Sequence, residues 1–516
     1  MIDATPLLRG YARHRLAQLA RLDPVRAQTA ELRRLLRVAA GTRFGRAHGF
    51  SGIGSVREYQ RRVPLRRYEA FWEEFWRPAF PTLRGITWPT RLPFLALSSG
   101  TSSGATKYLP VSPQMARANS RAALDVLAQH AGHFPDTRLL AGRNLMLGGS
   151  TALDRLGGGV RAGDLSGIVA WQVPWWARRR FFPPLDIALI PDWDRKIAAM
   201  APRSLQADIH SLSGTASWLL LFFEQLAALH PDRPRRLAAF YPHLELIVHG
   251  GVSFTPYREA FAEWLHGSAI RTQEVYAASE GFIAIQDRGP GEGMRLLLDN
   301  GIFYEFVEPD ALDDPAAGRH WIADARIGRN YALVLSTNAG LWSYVLGDTV
   351  ELVDRSPPRV LITGRTSYWL SVAGEHLIGR ELDMAITTAA AELGTQVADY
   401  TAAALPPGDD GRPGHLFVVE FSGAVPESVT FGQALDRALA AMNADYRAHR
   451  PGLSPPRIVL VPPGAFADWM RRRGRLGGQN KVPRVVELSA LSGDEKGRPG
   501  LCPGAGWWQQ PADPTI

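Results

Sequence analysis

Residues 92–113, LPFLALSSGTSSGATKYLPVSP, place an apolar run directly before a loop of small residues that ends at Lys107. Two chemistries use such a stretch. Gly100, Ser102 and Gly104 match G-x-S-x-G, the nucleophile elbow of hydrolases, whose serine lies on a sharp turn between a strand and a helix. The same loop offers backbone N–H groups, hydroxyl groups and one cation, which together can surround phosphate oxygens. The residues that follow the loop separate the two interpretations.

Two prolines follow the loop, at Pro110 and Pro113, where the first turns of an elbow helix would continue. Proline inside a helix costs about 3 kcal/mol, so YLPV is predicted to be a second strand. The resulting order of strand, loop and strand favours a phosphate loop over an elbow. The loop is not a Walker A sequence, because GKS and GKT are absent. A solvent-exposed Ser/Gly hairpin without a ligand remains the structural alternative.

The rest of the chain predicts a mixed α/β architecture. Apolar residues recur every three or four positions from Leu7 to about Ala40, which indicates amphipathic helices. Strand-like runs alternate with helical ones between about residues 90 and 350, and a further α/β unit follows. We therefore expect an N-terminal domain over 1–367 and a smaller C-terminal domain over 368–516, with the junction within 365–371.

Composition indicates a globular, cytoplasmic protein. The 516 residues are 46% hydrophobic and 21% charged, which excludes a disordered chain. The N-terminal segment carries arginines where a signal peptide needs an apolar core. The longest apolar run starts at Ala216, contains Glu224 and is too short to span a bilayer, so it predicts a buried helix and no stable membrane insertion. Cys502 is the only cysteine, which excludes an internal disulfide and a thiolate metal cluster.

The basic charge comes almost entirely from arginine. The net charge is +8, and lysine occurs only at positions 107, 196, 481 and 496. Arginine is spread along the whole chain, which indicates a coding bias and argues against a nucleic-acid partner. A lysine retained in such a chain marks a position where a compact ammonium is needed. Two of the four lysines, Lys107 and Lys481, lie in the motifs described here.

Several further motifs place polar groups at the ends of predicted strands. They are HGGVS (249–253), EVYAASEGF (274–282), GLWSYVLGDTVEL (340–352), ITGRTS (362–367) and GGQNKVPR (477–484). Each residue has a structural alternative when taken alone: Tyr276 as a core residue, Asp348 in a turn, Glu280 at a solvated strand end and Arg365 in a surface ion pair. The interpretation therefore depends on the order and spacing of these motifs taken together.

In this order the motifs resemble the adenylate-forming ligase superfamily and, within it, a bacterial-type member of the Gretchen Hagen (auxin-responsive) family of acyl acid amido synthetases. The likeness covers nearly the whole chain, in TRFGRAHGF, VPLRRYEAF, SSGTSSGATKYLP, YPHLELIVHGGVS, EVYAASEGF, LDNGIFYEF, YALVLSTNAGLWSY, LGDTVEL, ITGRTS and GGQNKVPR. One departure is Ser343 in LWSY, which stands where this family usually carries an arginine.

The resemblance implies an α/β fold, with a large adenylate-forming domain of mixed sheets flanked by helices and a smaller, mobile C-terminal domain. It also implies ATP and Mg²⁺ as cofactors, Lys107, Glu280, Arg365 and Lys481 as catalytic residues, and Glu280 as the metal ligand. The implied ATP-binding residues are Ser98, Ser99, Gly100, Thr101, Ser102, Ser103, Gly104, Thr106, Lys107, Gly250, Gly251, Ser253, Tyr276, Ala278, Ser279, Glu280, Asp348, Arg365 and Lys481.

The reaction implied by the resemblance joins a carboxylic acid to an amine, such as an amino acid, through an acyl-AMP intermediate with release of pyrophosphate. The alternatives are thioester formation with coenzyme A after the same adenylation, and a non-catalytic member that binds nucleotide or acid. The second domain is expected to rotate about the 365–371 junction between the two half-reactions.

The acid site is expected within the aromatic stretch 165–184, where Trp171, Trp175 and Trp176 lie close to three consecutive arginines. A buried aromatic helix with a basic edge and a membrane-surface patch are the alternatives. His130 and His133 in HAGH are expected to be ordinary helix or surface histidines, because no further ligand cluster accompanies them in the sequence.

Overall fold

The structure is a computed structural model that describes residues 2–99, 106–148, 152–175, 177–190, 192–314, 316–366, 370–372, 375, 377–407, 412–476, 481–492 and 500–501. The chain forms two compact units. The first comprises Met1–Gly251 and Trp264–Leu361, and the second comprises Val252–Glu263 and Ile362–Ile516. The second unit therefore takes a short segment, Val252–Glu263, from within the range 1–367 that the sequence assigned to the N-terminal domain.

The described residues form helices α1 (Thr5–Ala20), α2 (Pro24–Ala39), α3 (Arg43–Ala47), α4 (Val56–Arg62), α5 (Tyr68–Phe71), α6 (Pro113–His133), α7 (Leu165–Gln172), α8 (Leu185–Ala188), α9 (Trp193–Ser204), α10 (Ala216–Leu229), α11 (Leu237–Phe240), α12 (Arg258–Leu265), α13 (Gly379–Glu392), α14 (Ser428–Met442), α15 (Ala444–His449), α16 (Ala465–Arg472) and α17 (Leu488–Ser492).

The strands are β1 (Phe94–Ser99), β2 (Thr106–Val111), β3 (Arg143–Leu147), β4 (Asp154–Gly157), β5 (Val160–Gly163), β6 (Phe181–Phe182), β7 (Ile209–Gly214), β8 (Leu246–Gly250), β9 (Arg271–Ala278), β10 (Gly281–Gln286), β11 (Met294–Leu296), β12 (Ile302–Val307), β13 (Arg319–Trp321), β14 (Asn330–Thr337), β15 (Tyr344–Arg355), β16 (Pro358–Arg365), β17 (Val397–Leu405), β18 (Gly414–Phe421) and β19 (Arg457–Val461).

A large mixed sheet dominates the first unit, in the strand order β13-β12-β14-β15-β16-β11-β10-β9-β8-β7-β3-β6. Strands β3, β6, β7, β8 and β9 run parallel to their neighbours in this half of the sheet, and β9 then pairs antiparallel with β10. A smaller sheet has the order β2-β1-β5-β4, and the second unit holds the sheet β17-β18-β19. The mixed α/β fold expected from the sequence is confirmed.

The predictions for the individual helices described next are confirmed. The amphipathic stretch near the N-terminus forms α1 and α2, and Asp23 caps α2 by accepting a hydrogen bond from Arg26 N. The apolar run from Ala216 forms α10, whose apolar residues are mostly buried. No helix among the described residues is long and apolar enough to cross a membrane.

Two helices share the stretch FGQALDRALAAMNADYRAHR. Helix α14 ends at Met442 and α15 begins at Ala444. Asn443 between them is extended, at φ −117° and ψ 119°, and its side chain accepts a hydrogen bond from Tyr446 N at 2.7 Å. Asparagine favours this capping conformation over a helix interior, so the chain starts a new helix there.

Candidate functional site

Strands β1 and β2 frame the small-residue loop. They pair antiparallel, with Ser98 opposite Lys107 and Ser99 opposite Thr106. A strand follows the loop where an elbow would need a helix, so the predicted order of strand, loop and strand is confirmed. The loop residues Gly100, Thr101, Ser102, Ser103 and Gly104 lie outside the described residues.

Lys107 leaves the loop beside helix α5. Its Nζ is 4.0 Å from Glu69 Oε1 and 5.4 Å from the ring centroid of Tyr68. The Tyr68 hydroxyl accepts a hydrogen bond from Tyr108 N at 2.9 Å, and burial raises the pKa of Tyr68 to about 12. Tyr68 therefore stays protonated at neutral pH and presents its ring to the ammonium. Neither Tyr68 nor Glu69 was predicted from the sequence to lie at the site, although both belong to the segment VPLRRYEAF.

Glu280 occupies a tight turn between β9 and β10. Ala278 pairs with Gly281, so only Ser279 and Glu280 form the turn, and both are buried. Burial and the neighbouring Glu280 carboxylate, to which the Tyr344 hydroxyl donates a hydrogen bond, raise the pKa of Tyr344 well above its ordinary value. Tyr344 thus remains a hydrogen-bond donor to this carboxylate.

Tyr344 also connects Glu280 to the loop. Glu69 and Tyr68, the two residues beside Lys107, also contribute to the raised pKa of Tyr344. Tyr344 is the first residue of β15 and is fully buried. The Glu280 carboxylate and the two residues beside Lys107 therefore both contribute to the electrostatic surroundings of Tyr344.

Asp348 lies four residues further along the same strand, at an irregularity. Ala332 of β14 pairs with Thr349, but Val334 pairs with Val345, so β15 carries extra residues there, and Gly347 has a φ of +93°. A bulge of this kind redirects a side chain out of the regular strand pattern. The Tyr276 hydroxyl donates a 2.6 Å hydrogen bond to Asp348 Oδ2. Strand β15 thus carries both Tyr344, which hydrogen-bonds Glu280, and Asp348, which accepts the hydrogen bond from Tyr276.

The backbone explains both glycines of HGGVS. A Cβ on Gly250 would lie 2.3 Å from the carbonyl oxygen of Val275, because β8 and β9 approach closely there. Gly251 has a φ of +88°, which favours glycine. Ala278 ends β9, and Ser253 is exposed within the segment Val252–Glu263 of the second unit.

Arg365 and Lys481 belong to the second unit, and both are exposed. The segment after Lys481 is anchored three residues later, where Arg484 donates a hydrogen bond to Asp399 and its Nε lies 3.1 Å from Asp383 Oδ1. Arg484 also donates to the Tyr257 hydroxyl at 3.2 Å. A largely buried ion cluster therefore fixes one end of the GGQNKVPR motif, of which residues 477–480 lie outside the described ranges.

Ser343, the departure from the family pattern, is fully buried at a φ of +44°. Its hydroxyl accepts a hydrogen bond from Arg319 Nη2 at 2.6 Å, and it lies 3.2 Å from Glu305 Oε2 and 3.0 Å from the Tyr59 hydroxyl. Arg319 and Glu305 form an ion pair at 2.7 Å. A guanidinium from β13 therefore occupies the space beside Ser343.

The aromatic residues expected at an acid site are exposed where the structure describes them. Trp175 is 81% exposed and Trp171 is 48% exposed. The guanidinium of Arg161 lies 4.1 Å from the ring centroid of Trp171. Trp176 lies outside the described residues. The two described tryptophans do not form a buried aromatic helix, which was one alternative from the sequence.

Comparison with family models matches most of the chain to one family. The GH3 family N-terminal domain matches residues 13–199, the central domain residues 295–365 and the C-terminal domain residues 380–490.

Two similar curated proteins are indole-3-acetic acid-amido synthetases. That named GH3.4, from Arabidopsis thaliana, is 27% identical over 275 residues, which is 48% of this chain and 45% of that protein. That named GH3.8, from Oryza sativa subsp. indica, is 28% identical over 48% of this chain and 44% of that protein. The matched region thus spans less than half the length of these relatives.

Solved structures share the fold over almost the full length. The GH3.15 acyl acid amido synthetase superposes with a TM-score of 0.76 at 18% identity, covering 91% of this chain and 92% of that one. A 2-hydroxyisobutyryl-CoA ligase in its postadenylation state gives a TM-score of 0.60 at 15% identity, covering 89% and 88%.

Proposed function

Because this chain belongs to the GH3 family, we propose that it is an ATP-dependent acyl acid amido synthetase. It adenylates a carboxylic acid, releases pyrophosphate and transfers the acyl group from the acyl-AMP to an amine such as an amino acid. The amido synthetase activity of the curated relatives supports this reaction class.

Adenylation solves a chemical problem, because a carboxylate has a poor leaving group and does not react with amines at neutral pH. Attack on the α-phosphorus of ATP converts the leaving group to AMP. The protein must then hold the two reactants in line and stabilise the negative charge that moves over the phosphates. The loop with Lys107 and the carboxylate of Glu280 as a metal ligand would supply these requirements.

The observation that supports the proposal is the position of Tyr344 on β15, where its hydroxyl donates a hydrogen bond to Glu280 and its electrostatic surroundings include Glu69 and Tyr68, the neighbours of Lys107. Tyr344 links Glu280 to the surroundings of Lys107, and Asp348 follows on the same strand. We assign the ATP phosphates to the loop 98–107. This juxtaposition supports one triphosphate site, because Lys107, Glu280 and Asp348 come from distant parts of the sequence.

Glu280 fits a magnesium ligand by its chemistry. Mg²⁺ is usually held by one or two carboxylates together with substrate phosphates. Glu280 is a buried carboxylate in a tight turn, and the Tyr344 hydroxyl restricts its orientation. Bound Mg²⁺ would neutralise charge on the phosphate oxygens. Tyr344 would contribute as a neutral hydrogen-bond donor to the Glu280 carboxylate.

Tyr276 and Asp348 would hold the nucleoside. A carboxylate accepts several hydrogen bonds, so Asp348 can accept the ribose hydroxyls as well as the Tyr276 hydroxyl. Tyr276 is only 5% exposed, which supports a role in orienting Asp348. Gly250, Gly251, Ala278 and Ser279 of the first unit would line the adenine pocket, and Ser253 is a further candidate from the sequence.

The second unit would contribute Arg365 and Lys481. We propose that Arg365 contacts the ribose or the α-phosphate and that Lys481 neutralises phosphate charge in one half-reaction. The anchoring of Arg484 beside Asp399 supports a fixed position for the chain that carries Lys481. Rotation of this unit about the 365–371 junction would then alternate the two half-reactions.

The acid itself is proposed to be aromatic or otherwise apolar. The exposed rings of Trp171 and Trp175, with Arg161 stacked on Trp171, supply apolar faces and a cation to pair with a carboxylate. Trp176 would complete the same site.

The test is acid-dependent exchange of pyrophosphate into ATP, screened over aromatic, indolic and fatty acids. Lys107→Ala and Glu280→Gln should each lower the exchange rate by about a hundredfold or more while the protein stays folded. Arg329→Ala and Glu308→Gln are matched controls, because these residues form a 2.9 Å ion pair on the surface. An unchanged rate in Lys107→Ala or Glu280→Gln would remove that residue from the site.

Formation of a coenzyme A thioester is the second candidate, favoured by the fold match to a CoA ligase. Both reactions share the pyrophosphate exchange and differ in the acceptor. Product formation with amino acids and with coenzyme A, measured side by side, distinguishes them. Amide formation without thioester supports the amido synthetase.

A further inference from the structure

A second group of polar side chains lies at the amino ends of β7 and β8. These strands pair in parallel, with Ser211 opposite Leu246. Extending this register toward the amino ends of both strands places His210 beside Glu245 and Asp208 beside His243. The backbone confirms this extension, because Glu245 N donates a 2.9 Å hydrogen bond to His210 O.

The three side chains Asp208, His210 and His243 converge on one point. His243 Nδ1 is 2.8 Å from Asp208 Oδ1, and His210 Nε2 is 3.2 Å from the same oxygen. All three ligand atoms lie within 4.8 Å of one another. Bonds of about 2.0 Å in a tetrahedral zinc site separate ligand atoms by roughly 3.3 Å. Small side-chain rotations therefore suffice to admit an ion.

A carboxylate lies near the second ring nitrogen of the buried histidine. His210 is 5% exposed, and its Nδ1 has no hydrogen-bond partner among the described residues. This nitrogen lies 3.7 Å from Glu245 Oε1. Glu245 is held in turn by Arg138 N at 2.8 Å and by the Thr137 hydroxyl. A carboxylate behind the second ring nitrogen orients a metal-bound histidine and raises its basicity.

The group also borders open space. Asp208, His210 and His243 line a cavity of about 520 Å³, which Asp3, Arg138 and Glu245 line as well. An ion bound by three protein ligands keeps a fourth position for water or a small ligand, and this cavity provides the room. Two imidazoles and one carboxylate are ligands that suit Zn²⁺ and neighbouring first-row ions.

We propose that Asp208, His210 and His243 bind one divalent first-row transition ion of the Zn²⁺ class, with Glu245 as the outer partner of His210. This site is separate from the proposed nucleotide site. It precedes β8 in the chain, whereas Gly250 of the nucleotide site ends β8. The inference therefore does not depend on the proposed function.

The experiment titrates the metal-stripped full-length chain with Zn²⁺ alone, by calorimetry and by competition with a chromophoric zinc chelator. We expect one equivalent to bind per chain. His243→Ala and Asp208→Asn should each weaken binding at least tenfold. These side chains are 65% and 54% exposed, so their loss should leave folding intact. His449→Ala removes an exposed histidine from the second unit and should bind as the wild type does.

A second measurement uses Co²⁺ alone. Visible d–d absorption of the intensity typical of four-coordinate cobalt should appear at one equivalent and be lost in His243→Ala. Absence of stoichiometric Zn²⁺ binding would overturn the proposal and leave a hydrogen-bonded His–Asp cluster. Zn²⁺ binding that persists unchanged in both His243→Ala and Asp208→Asn would also overturn it.

Discussion

The hydroxyl of Tyr276 on β9 donates a 2.6 Å hydrogen bond to Asp348 Oδ2 on β15. These strands are separated by β16, β11 and β10 in the sheet order, so the bond spans the sheet rather than one strand pair. It orients a carboxylate that a bulge has turned out of its strand. The bond therefore fixes one candidate ligand of the ribose before any nucleotide binds.

Tyr276→Phe removes this hydrogen bond and keeps the ring. A hydrogen bond to a charged group is worth about 1.5–3 kcal/mol, and about 1.4 kcal/mol corresponds to a factor of ten. We expect the apparent KM for ATP in pyrophosphate exchange to rise by about tenfold. Tyr11→Phe is the matched control, because Tyr11 donates a 2.6 Å hydrogen bond to Asp125 elsewhere in the first unit. Equal KM values for Tyr276→Phe and the wild type would contradict the positioning role.

Ser343→Arg restores the residue that the resembling family usually carries, yet we expect it to destabilise the protein. Ser343 is fully buried, and Arg319 Nη2 already contacts its hydroxyl at 2.6 Å. A second guanidinium at this position would overlap sterically with its neighbours and would be repelled by the positive charge of Arg319. We expect the free energy of unfolding to fall by about 3 kcal/mol or more. Adding Arg319→Ser should recover part of the loss in urea unfolding. A double variant no more stable than Ser343→Arg would show that Arg319 does not occupy this space.

Lys196 should make stability depend on pH. Burial lowers the pKa of Lys196 to about 8, although Asp164 opposes the shift. Below pH 8 the folded and unfolded chains both hold the proton. As pH rises from 8 toward the ordinary lysine value, only the unfolded chain keeps it, so the free energy of unfolding increases. Relative to Lys196→Met, the wild type should gain about 2 kcal/mol between pH 8 and 10. Parallel urea-unfolding results for the two proteins across this range would contradict the prediction.

Arg484→Ala should destabilise the second unit. Its guanidinium pairs with Asp399 and Asp383, whose carboxylates are largely buried. Removing one partner of a buried pair leaves an uncompensated charge and costs about 3–5 kcal/mol. Arg437→Ala breaks a surface pair with Glu392 and should cost less than about 1 kcal/mol. Urea unfolding measures both variants, and similar losses would show that burial of the Arg484 cluster contributes little.

Local sequence patterns were sufficient to predict the elements that frame the candidate site. The position of proline explains why the loop is followed by strand β2. Pro110 lies in β2, at the edge of its sheet, where no partner needs its missing N–H. Pro113 begins α6 directly after Ser112, whose hydroxyl accepts a hydrogen bond from Met115 N. Pro110 therefore excludes a helix immediately after the loop, as the sequence predicted, whereas Pro113 occupies the first position of α6, where proline is tolerated.

Contacts between distant segments could not be predicted in this way. Glu69 and Tyr344 give no local signal, because their role depends on α5 and β15 meeting beside Lys107. His130 was expected to be an ordinary helix histidine, yet its Nε2 lies 3.7 Å from Glu245 Oε2, the partner of His210. The parallel register of β7 and β8 brings these residues together, and no spacing within the sequence reveals it.

The burial of Lys196 has a practical consequence for labelling. Reagents that acylate amines react with the neutral, accessible form, and Lys196 is only 4% exposed. Among the described residues this leaves the partly buried Lys107 and the exposed Lys481 as lysine targets, one in each unit. Protection of either amine by ATP would give a footprint of the nucleotide without a single substitution.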